Sequence, residues 1–133
     1  MNGEGLVRLR GILMGFAGVV CLAYGVLAVV MGRPDPMPQY IPGVAGIAAM
    51  VAIYLAFWQA GSDSRKAASD EMFVAEMNGA VKVGFWVGIF MYPAFAPFLI
   101  AGWTTFDVAF AAMGTLMAAA YLLTFAVSTL RGL

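Results

Sequence analysis

The chain has 133 residues, 63% of them hydrophobic and 11% charged, with seven basic and seven acidic side chains that balance to a formal net charge of zero. A soluble domain carries roughly 25% charged residues, so this composition, with a mean hydropathy of +0.91, belongs to the membrane class. Zero net charge offers no basic face to release counterions from a polyanion and argues against nucleic acid as a partner, while the absence of histidine removes the commonest general base, the usual haem ligand and most zinc geometries.

Residues 11–32, 41–60, 83–106 and 108–130 carry no charged side chain. Each run is long enough to cross a hydrocarbon core of about 30 Å at about 1.5 Å per residue. None alternates as a strand does, so helices are expected, with backbone groups satisfied inside each segment. The expected fold is all-α: an integral membrane protein with four antiparallel transmembrane helices. A single transmembrane domain spans 1–133, with helices at about 11–32, 41–60, 82–102 and 107–130 and a cytoplasmic amphipathic turn over 62–81.

Arg8 and Arg10 precede the first run, which exceeds the roughly 7–15 residues of a signal-peptide core and is followed by no clear cleavage site, so a retained helix is expected. Gly11, Gly15, Gly18 and Gly25 place small residues along a stripe of this helix. Cys21 is a lone thiol and reads as a packing residue. Gly32-Arg33-Pro34 supplies a glycine for the left-handed stop and a proline that cannot continue the helix. After a proline-rich loop, Pro42 suits the first turn of the second helix, along which Ala48, Ala52, Ala56 and Ala60 recur.

In the segment 62–81, Asp63, Asp70, Glu71 and Glu76 lack the alternating acidic spacing of a calcium loop, and Arg65 and Lys66 compete for the same carboxylates, so no metal is expected. Capping explains the charges better. Ser69 is the expected N-cap, with Asp70 and Glu71 in the first turn, where negative charge suits the helix dipole. Glu71, Asn78 and Lys82 then share a polar stripe, and Phe73, Met77 and Ala80 lie away from it.

The third membrane helix carries Gly84 and Gly88 and then Pro93 and Pro97, which free the carbonyls of Ile89 and Pro93 and predict a kink. A hydroxyl from Tyr24 or Thr115 is the expected partner for those carbonyls. Thr104-Thr105-Phe106-Asp107 offers an N-cap hydroxyl and a carboxylate three residues on, starting a fourth helix that carries Gly114. With four crossings, Arg8, Arg10, Arg65, Lys66, Lys82 and Arg131 fall on one side and Arg33 on the other, which predicts cytoplasmic termini.

No ionisable group sits near the centre of a helix, which argues against ion- or proton-coupled transport. Phosphate-binding, serine-elbow and zinc-protease motifs are missing, so the chain is expected not to be an enzyme and to need no cofactor. Two functions stay open. The first is an assembly, accessory or self-associating subunit. Gly11, Gly15, Gly18, Gly25, Gly84, Gly88 and Gly114 would pack helices within or between chains, and the expected partners are the lipid bilayer and a homo-oligomer or larger membrane complex. The second is a binder or carrier of a small apolar ligand (quinone, lipid or pigment), held at mid-membrane by Tyr24, Tyr54, Tyr92, Thr115 and Tyr121 beside Pro93 and Pro97.

The acidic pair Asp70-Glu71 shortly before the third membrane helix, followed by the aromatic pair Phe85-Trp86, resembles the layout of small uncharacterised bacterial inner-membrane proteins with four helices. The resemblance implies a bacterial inner-membrane location and a four-helix architecture, and it carries no activity.

Overall fold

The computed structural model describes residues 2–132, which form five helices: α1 (Gly3–Met31), α2 (Tyr40–Gln59), α3 (Ser62–Ala68), α4 (Glu71–Ile100) and α5 (Phe106–Arg131). Four of them, α1, α2, α4 and α5, are long and apolar enough to cross a membrane. The short α3 occupies the front of the charged segment 62–81.

Local chemistry sets the helix ends. The Asn2 side chain accepts from the Gly5 N–H at 2.8 Å, so α1 begins well before the apolar run at residue 11 and takes Glu4, Arg8 and Arg10 into its first turns. Charged side chains do not stop a helix, and Glu4 and Arg8 form an i,i+4 pair at 3.4 Å. Gly32 ends α1 with φ of 65°, a conformation that costs glycine little, and Pro34 lies just beyond it.

Two caps differ from those expected. Asp70, not Ser69, caps α4, accepting from the Phe73 N–H at 3.2 Å. Ser69 instead closes α3, its own N–H bonded to the Lys66 carbonyl at 3.2 Å. Ser69, at φ −117° and ψ 39°, lacks the extended backbone that an N-cap takes, whereas Asp70, at φ −81° and ψ −172°, has it and aims its carboxylate at the helix N-terminus. Helix α4 thus starts at Glu71, one residue later than a Ser69 cap implies, and residues 71–81 run on without a break into the apolar stretch after them. At α5, Thr105 bonds the Val108 N–H at 3.4 Å, which puts Asp107 two residues after the cap instead of three. Helix α4 runs unbroken through Pro93 and Pro97.

The centre of the fold is the pair α1 and α5, with α4 packed on α5 and both α2 and α3 on α1. Its core is built from small residues, among them Ala17, Ala28, Ala112, Ala119 and Ala126, so backbones approach closely. A Cβ placed on Gly11, Gly15, Gly18 or Gly25 would come 3.1, 3.2, 2.9 or 2.6 Å from Leu130, Ala126, Leu123 or Leu116. These glycines therefore form the α1–α5 seam inside the chain. Gly84 and Gly88 do the same on α4, against Tyr121 and Met117, whereas Gly114 faces open space. Helix α2 is different: Ala49 is its one buried residue, and nothing stands within 4 Å of a Cβ built on Gly43 or Gly46.

Candidate functional site

Arg10 follows Leu6 by four residues and precedes Ala17 by seven, and all three are buried on the same face of α1. Only 6% of Arg10 is exposed. Its Nη2 donates to the carbonyl oxygen of Ala68, the last residue of α3, at 2.9 Å. The guanidinium carbon lies 4.1 Å from the ring centre of Phe73 and 5.6 Å from those of Phe57 and Phe125, close enough for cation–π attraction. Phe73 and Phe125 meet edge to face at 5.9 Å, the arrangement that the ring quadrupoles favour. All five helices thus converge on one arginine, α2, α4 and α5 through the rings and α3 through its terminal carbonyl.

Beside this hub, Thr129 on α5 is 1% exposed and donates from Oγ1 to Glu76 Oε2 at 2.7 Å. Arg10, Glu76, Thr129 and Asp70 line one chamber of about 170 Å³. Buried Arg10, Ala68 and Thr129 sit deepest in it, and Glu4, Asp70 and Met72 are exposed at its mouth. The ion pairs among the described residues are Arg8 with Glu4 and Arg33 with Asp35, so Arg10 has no carboxylate in direct contact. Its Nε is buried without a hydrogen-bond partner. Unpaired buried charge is costly, and the chamber brings both signs to one small volume. Among the described residues, no three His, Cys, Asp or Glu side chains converge to hold a metal ion.

The residues singled out from the sequence as ligand-binding fall in several places. Tyr24 is 4% exposed and donates to the Pro34 carbonyl at 2.6 Å. Thr115 donates to the Ala111 carbonyl, one turn back on its own helix, also at 2.6 Å. The two share a groove of about 580 Å³ with Gln39 and Asp107. Neither hydroxyl reaches the carbonyls of Ile89 or Pro93, contrary to expectation, because each has a nearer carbonyl on α5 or in the loop after α1. Tyr92 and Pro93 line a separate cavity of about 440 Å³ between α4 and α5. Tyr121 donates to the Met77 sulfur at 2.6 Å, Tyr54 is 69% exposed on α2, and Pro97 is exposed on α4. The structure thus joins Tyr24 with Thr115 and Tyr92 with Pro93, and leaves Tyr54, Tyr121 and Pro97 apart.

From the sequence, Arg10 reads only as a basic flank of the first apolar run and a marker of the cytoplasmic side, Phe73 only as lying off the polar stripe, and nothing singles out Thr129, Phe57 or Phe125. Spacing held part of the signal. Glu76 lies three residues after Phe73 and four before Ala80, on the face that turns inward, and Arg10 lies at helical spacing from Leu6 and Ala17. No protein-family model, curated protein or solved structure matches this chain.

Proposed function

We propose that the chain is a non-enzymatic integral membrane protein of the bacterial inner membrane, an assembly or self-associating subunit that docks through α2. Its four long helices cross antiparallel, with α3 and both termini on the cytoplasmic side, where Arg8, Arg10, Arg65, Lys66, Lys82 and Arg131 gather. One observation carries the docking role: α2 packs chiefly on α1 and buries only Ala49. Helices in lipid gain little from apolar surface as such and are held by close packing. Helix α2 has little of that, and the space over Gly43 and Gly46, flanked by exposed Ile47 and Met50, admits the backbone of another helix. A second copy of the chain or a larger complex supplies it.

The carrier reading has less support, since the hydroxyls of Tyr24, Thr115 and Tyr121 are each committed to an acceptor within the chain. Native mass spectrometry after gentle extraction tests the docking role. The wild type is expected as a defined complex, and Gly43→Leu and Gly46→Leu as folded monomers, because neither leucine meets an atom of its own chain at Cβ. A wild type that is monomeric in undisturbed membrane, together with unchanged variants, overturns it.

A further inference from the structure

The chamber beside Arg10 holds charge that the described residues leave without a direct ion pair. A guanidinium has five N–H donors, and among the described residues Arg10 uses one, to Ala68. Glu76 receives Thr129 on Oε2, and no donor among the described residues reaches its Oε1. Asp70 spends Oδ1 on its helix cap. These groups line the same chamber, about 170 Å³, without closing on one another. At about 30 Å³ per water in the liquid, that volume suits one small polar group rather than a large ligand.

The charges select its chemistry. A lone anion would suit Arg10 and be repelled by Asp70 and Glu76, which outnumber it, Glu4 being paired with Arg8. A lone cation would suit the carboxylates and be repelled by Arg10. A zwitterion with its charges a few bonds apart satisfies both. We propose that this chamber binds a phosphoethanolamine group, its phosphate oxygens accepting from Arg10 and its ammonium donating to Glu76 and Asp70. The planar guanidinium fork matches phosphate, and a primary ammonium brings three donors to the carboxylates. The exposed mouth lies where α1 and α4 begin and α5 ends, which is headgroup level for a chain crossing four times. The assignment therefore rests on the membrane reading above, and it is independent of docking through α2.

The test uses the full chain, extracted, delipidated and examined by native mass spectrometry with phosphatidylethanolamine, phosphatidylcholine or phosphatidylglycerol, and separately with O-phosphoethanolamine. Phosphatidylcholine removes the ammonium N–H donors and phosphatidylglycerol removes the amine. Phosphatidylethanolamine is expected to be retained about tenfold over both, the effect of one charge-assisted hydrogen bond. Glu76→Gln, which keeps an acceptor for Thr129, and Asp70→Asn, which still caps α4, are each expected to bring that preference close to parity. Arg10→Gln should abolish retention, and if it fails to fold the other two variants decide the matter. Binding of O-phosphoethanolamine with the same variant dependence supports the site and makes its source soluble; selectivity confined to the lipid supports the site and makes its source the bilayer. Equal retention of all three lipids without O-phosphoethanolamine binding, or selectivity unchanged in both carboxylate variants, overturns the proposal. Absence of the chain from the membrane fraction would instead overturn the membrane reading, so the two failures are distinguishable.

Discussion

Arg10 Nη2 stands 2.9 Å from the carbonyl oxygen of Ala68, across 58 residues of sequence, and so supplies from α1 the donor that the end of α3 lacks within itself. The same contact brings Gly3 against Ala67, where an added Cβ would come within 2.8 Å of the alanine methyl. The charged segment between α2 and α4 is thereby held to the start of α1.

Removing that donor should loosen the whole α3 end. Arg10→Ala is expected to destabilise the protein by about 3 kcal/mol, the combined loss of a charged hydrogen bond and the attraction to Phe73. Arg10→Lys should recover about half, since an ammonium keeps the charge without the planar fork. Thermal unfolding followed by tryptophan fluorescence in one detergent measures both. An Arg10→Ala midpoint equal to that of the wild type would show that the hub contributes nothing.

The cap of α4 separates two neighbouring residues. Asp70→Ala should cost about 1 kcal/mol, because the Phe73 N–H loses its acceptor, and Ser69→Ala should cost almost nothing, because its side chain caps no helix. The same unfolding measurement distinguishes them, and a larger loss at Ser69 would contradict the cap geometry.

Those two residues also mark where sequence reasoning reached its limit. The apolar spans were legible because charge is absent from them over long runs, and the end of α1 because Gly32 and Pro34 admit few alternatives. Choosing between Ser69 and Asp70 required knowing where α3 ends, and each is a good cap by type. Arg10 was harder to place. Counting arginines by side treats each as solvated, whereas its burial is produced by Phe57, Phe73 and Phe125 on three other helices, a non-local arrangement that no window of sequence contains. Depth along a helix likewise grouped Tyr24, Tyr54, Tyr92 and Tyr121, but the facing of each is set by packing partners.

Glycines of the seam and glycines of α2 should respond with opposite sign. At Gly25 an added Cβ would come 2.6 Å from Leu116 Cγ and 2.8 Å from Thr115 Oγ1, so Gly25→Ala is expected to cost about 1–3 kcal/mol through overpacking. At Gly43 it meets nothing, and alanine there should stabilise α2 by up to about 1 kcal/mol through its higher helix propensity. Unfolding of the two variants side by side reads the difference. Equal effects would mean that α1 and α5 do not meet along this seam.

Orientation has a direct chemical test. In the proposed four-crossing topology six basic residues fall on the α3 side, against Arg33 alone in the loop between α1 and α2, and it is the Lys and Arg count that sets which side stays in the cytoplasm. Cys21 is buried, and replacing it with alanine removes the native thiol at little packing cost. In that background, exposed Gln39 in the loop and exposed Ser62 at the start of α3 can each be changed to cysteine. A membrane-impermeant maleimide added to intact spheroplasts should modify Gln39→Cys at once and Ser62→Cys only after the membrane is opened. Immediate modification of Ser62→Cys would invert the topology and place the chamber beside Arg10 on the outer face.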